Sequence, residues 1–293
     1  MVRETILVLI SIPTYAIVIG LEILLSSYHN WKSYTFRDTL TNIYLMVLNS
    51  VLDVTTRVFT YGVLAWLYAH YRFFTLEPNW LYFTTLVLAV DLLYYWLHRA
   101  DHSVRFLWAV HVTHHSSEYF NLTTGFRSSV FQPLYRFIFY CPLPLLGFTM
   151  PDIAFIHSAL QIFGILVHTE YFNRIPVLEY FLVMPTHHRV HHASNVKYLD
   201  KNLAQVFIIW DRLFGTFQPE DPKDPPVYGL TKPLEKRDAW NIVMHEWKNI
   251  LSDLKRPLPI GVRLKYLLWP PGWSHDGRSK TSAQLRREAE DGL

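Results

Sequence analysis

The stretch HRADHSVRFLWAVHVTHH, residues 98–115, determines how this chain is arranged, because it carries five histidines in two closely spaced groups. A further cluster, THHRVHH, follows at 186–192. Residues three and four positions apart on an α-helix project from one face, so these spacings predict three helical faces that bear imidazoles. Three such faces offer more ligands than one metal ion usually accepts, which predicts a polynuclear metal site. The histidines concerned are His98, His102, His111, His114, His115, His187, His188, His191 and His192.

Histidines alone do not identify the metal, because imidazole binds Fe, Zn, Cu and Ni. A single histidine at a helix boundary is more often a hydrogen-bonded packing residue than a ligand. Here, however, most of the 15 histidines fall between residues 98 and 192 with a repeated spacing, which favours ligands. Cys141 is the only cysteine, so the chain forms no internal disulfide and no cysteine-based zinc or iron–sulfur site.

The composition indicates a membrane protein, with 51% hydrophobic and 16% aromatic residues. The segments 5–25, 38–70 and 80–97 are long and apolar enough to cross a bilayer. The segments 130–148 and 152–170 are interrupted by prolines and predict a hairpin of two helices. We therefore expect an all-α integral membrane protein with about four transmembrane helices, including this proline-broken hairpin, and a cytoplasmic helical cap that carries the histidines.

The charge pattern predicts the orientation of the chain. The formal charge of +3 is small and no basic stripe with a base-stacking motif occurs, so no nucleic-acid partner is expected. Cytoplasmic loops are enriched in lysine and arginine, which places the histidine clusters and the C-terminus in the cytoplasm and the N-terminus outside. The membrane would be the bacterial cytoplasmic membrane, or the endoplasmic reticulum in a eukaryote. The basic residues on the histidine face include Lys32, Arg37, Arg99, Arg105, Arg174 and Arg189.

The apolar segments and the histidine clusters also predict the domain organisation. Residues 1–272 form a single membrane-embedded domain with the histidine clusters in a core at 88–217. The polar tail at 273–293 is expected to be disordered. The segment 104–117 is too short and polar to span, and it is expected to lie as a helix at the membrane surface.

Three further side chains are candidates near the site. Asp91 lies seven residues before His98 on the same predicted helix face, where it would hold an imidazole in one tautomer or bind metal itself. His168 follows an apolar helix close to the other clusters and is a candidate ligand. His157 lies on the same face further inside that helix, where a packed polar residue is the more usual role.

The chain resembles the superfamily of fatty acid hydroxylases and sterol desaturases, which are membrane di-iron enzymes. The matching motifs are HRADH at 98–102, HVTHHSSEYFN at 111–121, MPTHHRVHHASN at 184–195 and IIWDRLFGTF at 208–217. Within the superfamily the chain is most similar to alkylglycerol-monooxygenase-like and bacterial sterol-desaturase-like members. Ser103 stands where the animal ether-lipid enzymes have a glutamate, so the resemblance does not identify an ether lipid as the substrate.

The resemblance implies a set of iron ligands and neighbouring residues. His168 would be a ninth ligand, while Asn121 and Asn202 would hold the ligands or line the pocket, and His187 is a further candidate there. No catalytic residue is expected beyond the metal ligands. The eight principal ligands implied are His98, His102, His111, His114, His115, His188, His191 and His192.

The function expected is that of a non-haem di-iron oxidoreductase that uses O2 to hydroxylate, desaturate or oxidatively cleave a lipid such as a sterol, fatty acyl chain or ether lipid. Zinc would replace the two irons in some purified samples. The sequence contains no glycine fingerprint for a nucleotide, so electrons would come from an external donor such as tetrahydrobiopterin or a redox protein. The partners expected are therefore a lipid substrate, the bilayer and a redox partner.

Two other classes of function compete with this one. A histidine-rich metal transporter or sensor would place its ligands at mid-membrane on broken helices, whereas these clusters lie at predicted helix ends. A zinc-dependent lipid hydrolase would commonly carry His-Glu-x-x-His, and His245-Glu246 has no histidine partner four residues after His245.

Overall fold

The computed structural model describes residues 2–172 and 174–292, and within these ranges the regular structure is helical with only isolated β-bridges. Short 3₁₀ turns connect some of the helices. In chain order the α-helices are α1 Val2–Tyr28, α2 Phe36–Tyr71, α3 Trp80–Ser103, α4 Arg105–His115, α5 Arg136–Tyr140, α6 Pro142–Leu145, α7 Met150–Leu166, α8 Pro176–Phe181, α9 Pro185–His191, α10 Ile209–Leu213, α11 Ala239–Lys255, α12 Ile260–Leu268 and α13 Ser282–Glu290.

The three helices α1, α2 and α3 are long and apolar enough to cross a membrane, and α7 is a fourth, shorter apolar helix. The predicted hairpin is present as α5 and α6 followed by α7, and α6 begins at Pro142. Many large apolar side chains of α1 and α2 are exposed on the isolated chain, as expected for surfaces that face lipid. The prediction of an all-α integral membrane protein is confirmed.

Polar contacts show which helix ends lie together. Asp152, at the start of α7, accepts hydrogen bonds from Arg3 at the start of α1 and Tyr82 at the start of α3. At the opposite end, Asp38 at the start of α2 binds Arg127, which lies between α4 and α5. The N-termini of α1, α3 and α7 therefore share one end of the bundle, and the start of α2 lies at the other end with the histidines.

The join between α3 and α4 sets the geometry of the site. Val104 has extended backbone angles, φ −117° and ψ 115°, which end α3 and turn the chain back on itself. The first turn of α4 is held by the amide of Arg105, which donates to the carbonyl of Trp269. Because α4 then packs along the end of α3, the histidines of both helices face each other.

Helix α4 forms over the segment expected to lie at the membrane surface, and α11 and α12 cover it. Arg105 is only 8% exposed and forms ion pairs with Glu246 and Asp253 of α11, both at 2.7 Å. The sequence predicted a helix at the membrane surface because the segment is too short and too polar to span. Its polar residues Arg105 and His111 face α11 and the histidines of α3.

The polar tail expected to be disordered contains helix α13. Thr281 and Gln284 form a reciprocal capping box at its start, which satisfies backbone donors there. Arg286 then donates to the carbonyl of Leu199, so this helix packs onto the loop that follows the last histidine cluster. Low hydrophobicity predicted disorder, but local capping and this polar contact order the segment.

Candidate metal centre

Nine imidazoles converge where α3, α4, α9 and the end of α7 meet, and they form two groups of five and four. Within each group, one nitrogen of every ring lies within 4.8 Å of the others. Two ligands on opposite sides of an ion lie about 4 Å apart, so each group has the dimensions of one metal site. The first group is His98, His102, His111, His115 and His191, and the second group is His114, His168, His188 and His192.

Hydrogen bonds to the backbone fix the tautomer of four of these rings. A carbonyl oxygen only accepts, so an Nδ1 atom bonded to it must carry the proton, and a neutral ring then has its lone pair at Nε2. Such outer hydrogen bonds are typical of metal-binding histidines. The Nδ1–O distances are 2.7 Å for His98 with Leu203, 3.0 Å for His114 with Arg127, 2.8 Å for His168 with Gly164 and 3.0 Å for His191 with Lys201.

These tautomers leave lone pairs facing one another. His114 and His168 both carry the proton at Nδ1, and their Nε2 atoms are 3.4 Å apart. Two acceptor nitrogens at that distance repel each other unless a cation lies between them. His102 Nε2 and His191 Nε2 are also buried and have no hydrogen-bond partner among the described residues. These ring nitrogens offer lone pairs that no hydrogen bond uses. The residues of both groups therefore fit metal ions.

Two carboxylates support the first group. Asp200 Oδ1 lies 3.2 Å from His102 Nδ1, and Asp101 Oδ2 lies 3.7 Å from His111 Nδ1, which also contacts the hydroxyl of Ser129 at 3.2 Å. A carboxylate behind an imidazole raises its basicity and fixes its orientation. Neither carboxylate was predicted from the sequence, although Asp101 lies inside the HRADH motif.

The imidazoles of α4 and of the cluster at 187–192 are held neutral by burial. Burial lowers the pKa of His111, His115 and His192 well below the usual value, and the neighbouring imidazoles lower it further. Burial likewise lowers the pKa of His114 to about 4. Since only neutral imidazole binds a metal, this environment keeps the ligands in their binding form.

The expected role of Asp91 beside an imidazole is wrong. Its carboxylate accepts hydrogen bonds from the amides of Val206 and Phe207 and from the indole of Trp210, at 2.9–3.0 Å. Asp91 shares a helix face with His98, but seven residues correspond to about 10 Å along the axis, which is beyond side-chain reach. Asp91 instead anchors the segment that follows Leu203.

The two asparagines contact backbone rather than imidazole rings. Asn121 donates to the carbonyl of Ser33 and accepts from the hydroxyl of Thr123. Asn202 donates to the carbonyl of His187 and has φ 54°, a left-handed conformation that asparagine tolerates. Asn202 thus positions α9, while Asn121 ties the loop after α1 to the segment after α4.

Two of the candidate histidines lie outside both groups. His157 contacts the hydroxyl of Tyr140 at 3.1 Å within the bundle. His187 accepts from the amide of Met184 at 3.2 Å and so caps the start of α9. The structure therefore gives His157 and His187 structural contacts, and it gathers the remaining nine candidates.

A helical membrane bundle with two histidine groups at one end of its spans defines the class of protein, and comparison with known proteins identifies a domain within it. Residues 83–216 match the model of the fatty acid hydroxylase family. The chain therefore contains a fatty acid hydroxylase domain over residues 83–216. Among solved structures, none matches the chain significantly.

Several characterised relatives are similar to the chain. Human alkylglycerol monooxygenase is 37% identical over 239 residues, covering 80% of this chain and 53% of the human protein. The ornithine lipid hydroxylase OlsE of Rhizobium tropici is 30% identical over 145 residues, covering 48% and 43% of the two chains. Mouse lathosterol oxidase is 28% identical over 150 residues, covering 48% of each. The chain thus spans about half the length of the relatives it matches.

Proposed function

We propose that this protein is a membrane-bound non-haem di-iron oxidoreductase that uses O2 to oxidise a lipid. The proposal rests on the two imidazole groups. Buried ring nitrogens with fixed tautomers face one another there, and no proton lies between them to form a hydrogen bond. The names of the relatives, a monooxygenase, a hydroxylase and a sterol oxidase, support oxidation of a lipid. The reaction would be a hydroxylation, a desaturation or an oxidative cleavage.

In this proposal each imidazole group holds one iron, with His168 as the ninth ligand. Bound iron would supply the capacity to activate dioxygen for attack on an unactivated C–H bond. The residues of the chain hold the ligands by backbone carbonyls, balance charge with Asp101 and Asp200, and exclude water by burial. A lipid substrate would reach the groups from the bilayer, since they lie at the end of apolar spans.

The remaining parts of the proposal concern the electron source and the side of the membrane. Electrons would come from an external donor, tetrahydrobiopterin or a redox protein. The histidine end of the bundle would be cytoplasmic, because the loop with Lys32 lies at that end. Ser33 in this loop contacts Glu170 near the second imidazole group.

A metal transporter and a zinc hydrolase are not favoured, because both imidazole groups are largely buried at helix ends and the relatives are named as oxidising enzymes.

Metal analysis and lipid mass spectrometry of matched variants test this proposal. The wild type is expected to hold about two irons per chain and to add one oxygen to a lipid, or remove two hydrogens, only when O2 and a reductant are present. His115→Ala and His192→Ala should each lower metal content and reduce turnover by more than about 100-fold. His157→Gln, a buried histidine outside both groups, is the control and should keep its metal.

Two outcomes would contradict the proposal. Full activity in either histidine variant would exclude the assigned ligands. Turnover of a lipid in the absence of oxygen would exclude oxidation by O2 and would favour hydrolysis.

A further inference from the structure

A small cavity lies between α7 and the two imidazole groups. Its volume is about 60 Å³, which is room for a few water-sized groups. Its lining contains members of both groups, His98 of the first and His114, His168 and His188 of the second. A group placed in this cavity would therefore lie beside both proposed metal sites.

Two amide side chains, Gln161 and Gln205, also line the cavity. Gln205 is only 5% exposed, and its buried Oε1 atom has no hydrogen-bond partner in the part of the chain that the structure describes. A buried acceptor that has lost its water is unfavourable unless a donor replaces that water. The free acceptor therefore points to a ligand that brings a donor into the cavity.

The backbone fixes Gln205 in this place. The amide of Ala204 donates to Asp211, and the amide of Val206 donates to Asp91, so both neighbours are anchored. On the facing helix, a Cβ atom at Gly164 would come within 2.9 Å of Gln205 Nε2. Glycine at this position of α7 leaves the space that the amide occupies.

The chemistry of the lining limits the kind of group that enters. Among the described residues the lining contains no aspartate or glutamate, so an ammonium group beside the two proposed metal sites would lack a counter-charge. An ionised phosphate or carboxylate has no donor for Gln205 Oε1. A plain hydrocarbon, an ether or an ester carbonyl has no donor and would leave Gln205 Oε1 unpaired. A hydroxyl group is neutral, donates to an amide oxygen and accepts from an amide N–H.

We propose that Gln205 binds a hydroxyl group of the substrate, so that the lipid oxidised is an alcohol with its hydroxyl close to the reacting carbon. This inference rests on the proposed function and specifies the substrate class of the same site. Gln205 is in this view a specificity-determining residue, which selects hydroxyl-bearing lipids over alkyl chains of the same length.

Binding of a matched pair of probes to the metal-loaded protein in nanodiscs tests the inference. The probes are radiolabelled hexadecan-1-ol and 1-methoxyhexadecane, which differ only by methylation of the hydroxyl, and binding to empty nanodiscs is subtracted. We expect the wild type to bind the alcohol about tenfold more tightly than the methyl ether. Gln205→Met has a similar size but no amide, and it should lose that preference by weakening the alcohol alone.

Controls separate recognition from folding. Gln218→Met changes a glutamine side chain outside the cavity and should keep the wild-type preference. Should Gln205→Met fail to fold, Gln205→Asn provides the same test, because it withdraws the amide by about 1.5 Å while remaining polar. Equal affinity of the wild type for both probes, or an unchanged preference in a folded Gln205 variant, would overturn the inference.

The assay also distinguishes this inference from the proposed function, because binding requires no turnover. A wild type that prefers the alcohol but never forms an oxygen-dependent product would contradict the proposed reaction and support the role of Gln205. A wild type that oxidises both probes equally would support the reaction and contradict the role of Gln205.

Discussion

At the scale of single residues, the centre depends on the groups behind each imidazole as much as on the rings. Carbonyl oxygens fix four tautomers, and Asp200 holds His102. Asp200 itself has φ 56°, in the left-handed region. Few residues can replace Asp200 without backbone strain, and asparagine is one that can.

We expect Asp200→Asn to weaken metal binding to the first imidazole group by about 10- to 100-fold, since the carboxylate behind His102 is lost. Competition with a chelator, followed by metal analysis, measures the change. Asp221→Asn, at a surface carboxylate that binds Lys197, is the matched control. Equal chelator resistance in the Asp200 and Asp221 variants would show that the carboxylate does not support the metal.

A second residue-scale prediction concerns Gly125, which packs against the second imidazole group. A Cβ atom there would lie 3.1 Å from His168 Nδ1 and from Ile165. We expect Gly125→Ala to displace the His168 ring and lower occupancy of the second group, which metal analysis would detect. Gly62→Ala meets no atom within 4 Å and should leave occupancy unchanged. Full occupancy in Gly125→Ala would mean that the ring shifts without losing its ligand geometry.

The residues that could be predicted from the sequence and those that could not differ in whether their partners are near in the chain. The histidines were visible because they repeat at helical spacing within short stretches of chain. Asp200 and Gln205 were not visible, since a side chain that acts across the fold leaves no local pattern. Their contacts depend on how the loop after α9 packs against α3 and α7, which spacing alone does not determine.

At the scale of elements, a short segment between α9 and α10 is held to α3 by one carboxylate. Asp91 accepts two hydrogen bonds from this segment and a third from Trp210 of α10, and the carbonyl of Leu203 within the segment fixes His98. The helical period correctly placed Asp91 and His98 on one face. The helical period predicts the direction in which each side chain points but not the distance between two residues along the helix axis. The predicted contact between Asp91 and His98 was wrong for that reason.

We expect Asp91→Leu to destabilise the fold by about 2–4 kcal/mol, because three buried donors lose their acceptor. Trp210→Phe removes one donor and leaves the carboxylate paired with two amides, so its cost should be smaller, about 1 kcal/mol. Thermal unfolding of both variants in detergent measures the difference. Equal losses in the two variants would argue that packing of Trp210, rather than the carboxylate, holds the segment.

At the scale of the whole molecule, the spans, the hairpin and the convergence of the histidines could be predicted from apolar length, prolines and histidine spacing. The burial of α4 and the ordered tail could not, because each depends on polar contacts between distant segments, such as Arg105 with Glu246. Those contacts enclose the imidazole groups. Enclosure makes the stability of the metal-free protein depend on pH.

The sign of this dependence follows from the lowered histidine pKa values. The pKa of His114 lies at about 4 in the fold and at 6.5 as the ordinary value, chiefly because of burial. Above pH 6.5 both folded and unfolded forms are neutral and stability is complete. Between pH 6.5 and about 4 only the unfolded chain takes up the proton, so acid removes stability, by roughly 3 kcal/mol for this group.

We therefore expect the melting temperature of the metal-free protein to fall steadily as the pH is lowered from 7.5 to 5, which differential scanning fluorimetry in detergent would measure. His114→Asn should flatten this dependence, whereas His29→Asn, at an exposed histidine, should leave it unchanged. Metal should raise the melting temperature most at neutral pH and progressively less in acid, since protons compete for the same nitrogens. A melting temperature independent of pH in the metal-free protein would mean that the imidazole groups open to water and accept protons without loss of the fold.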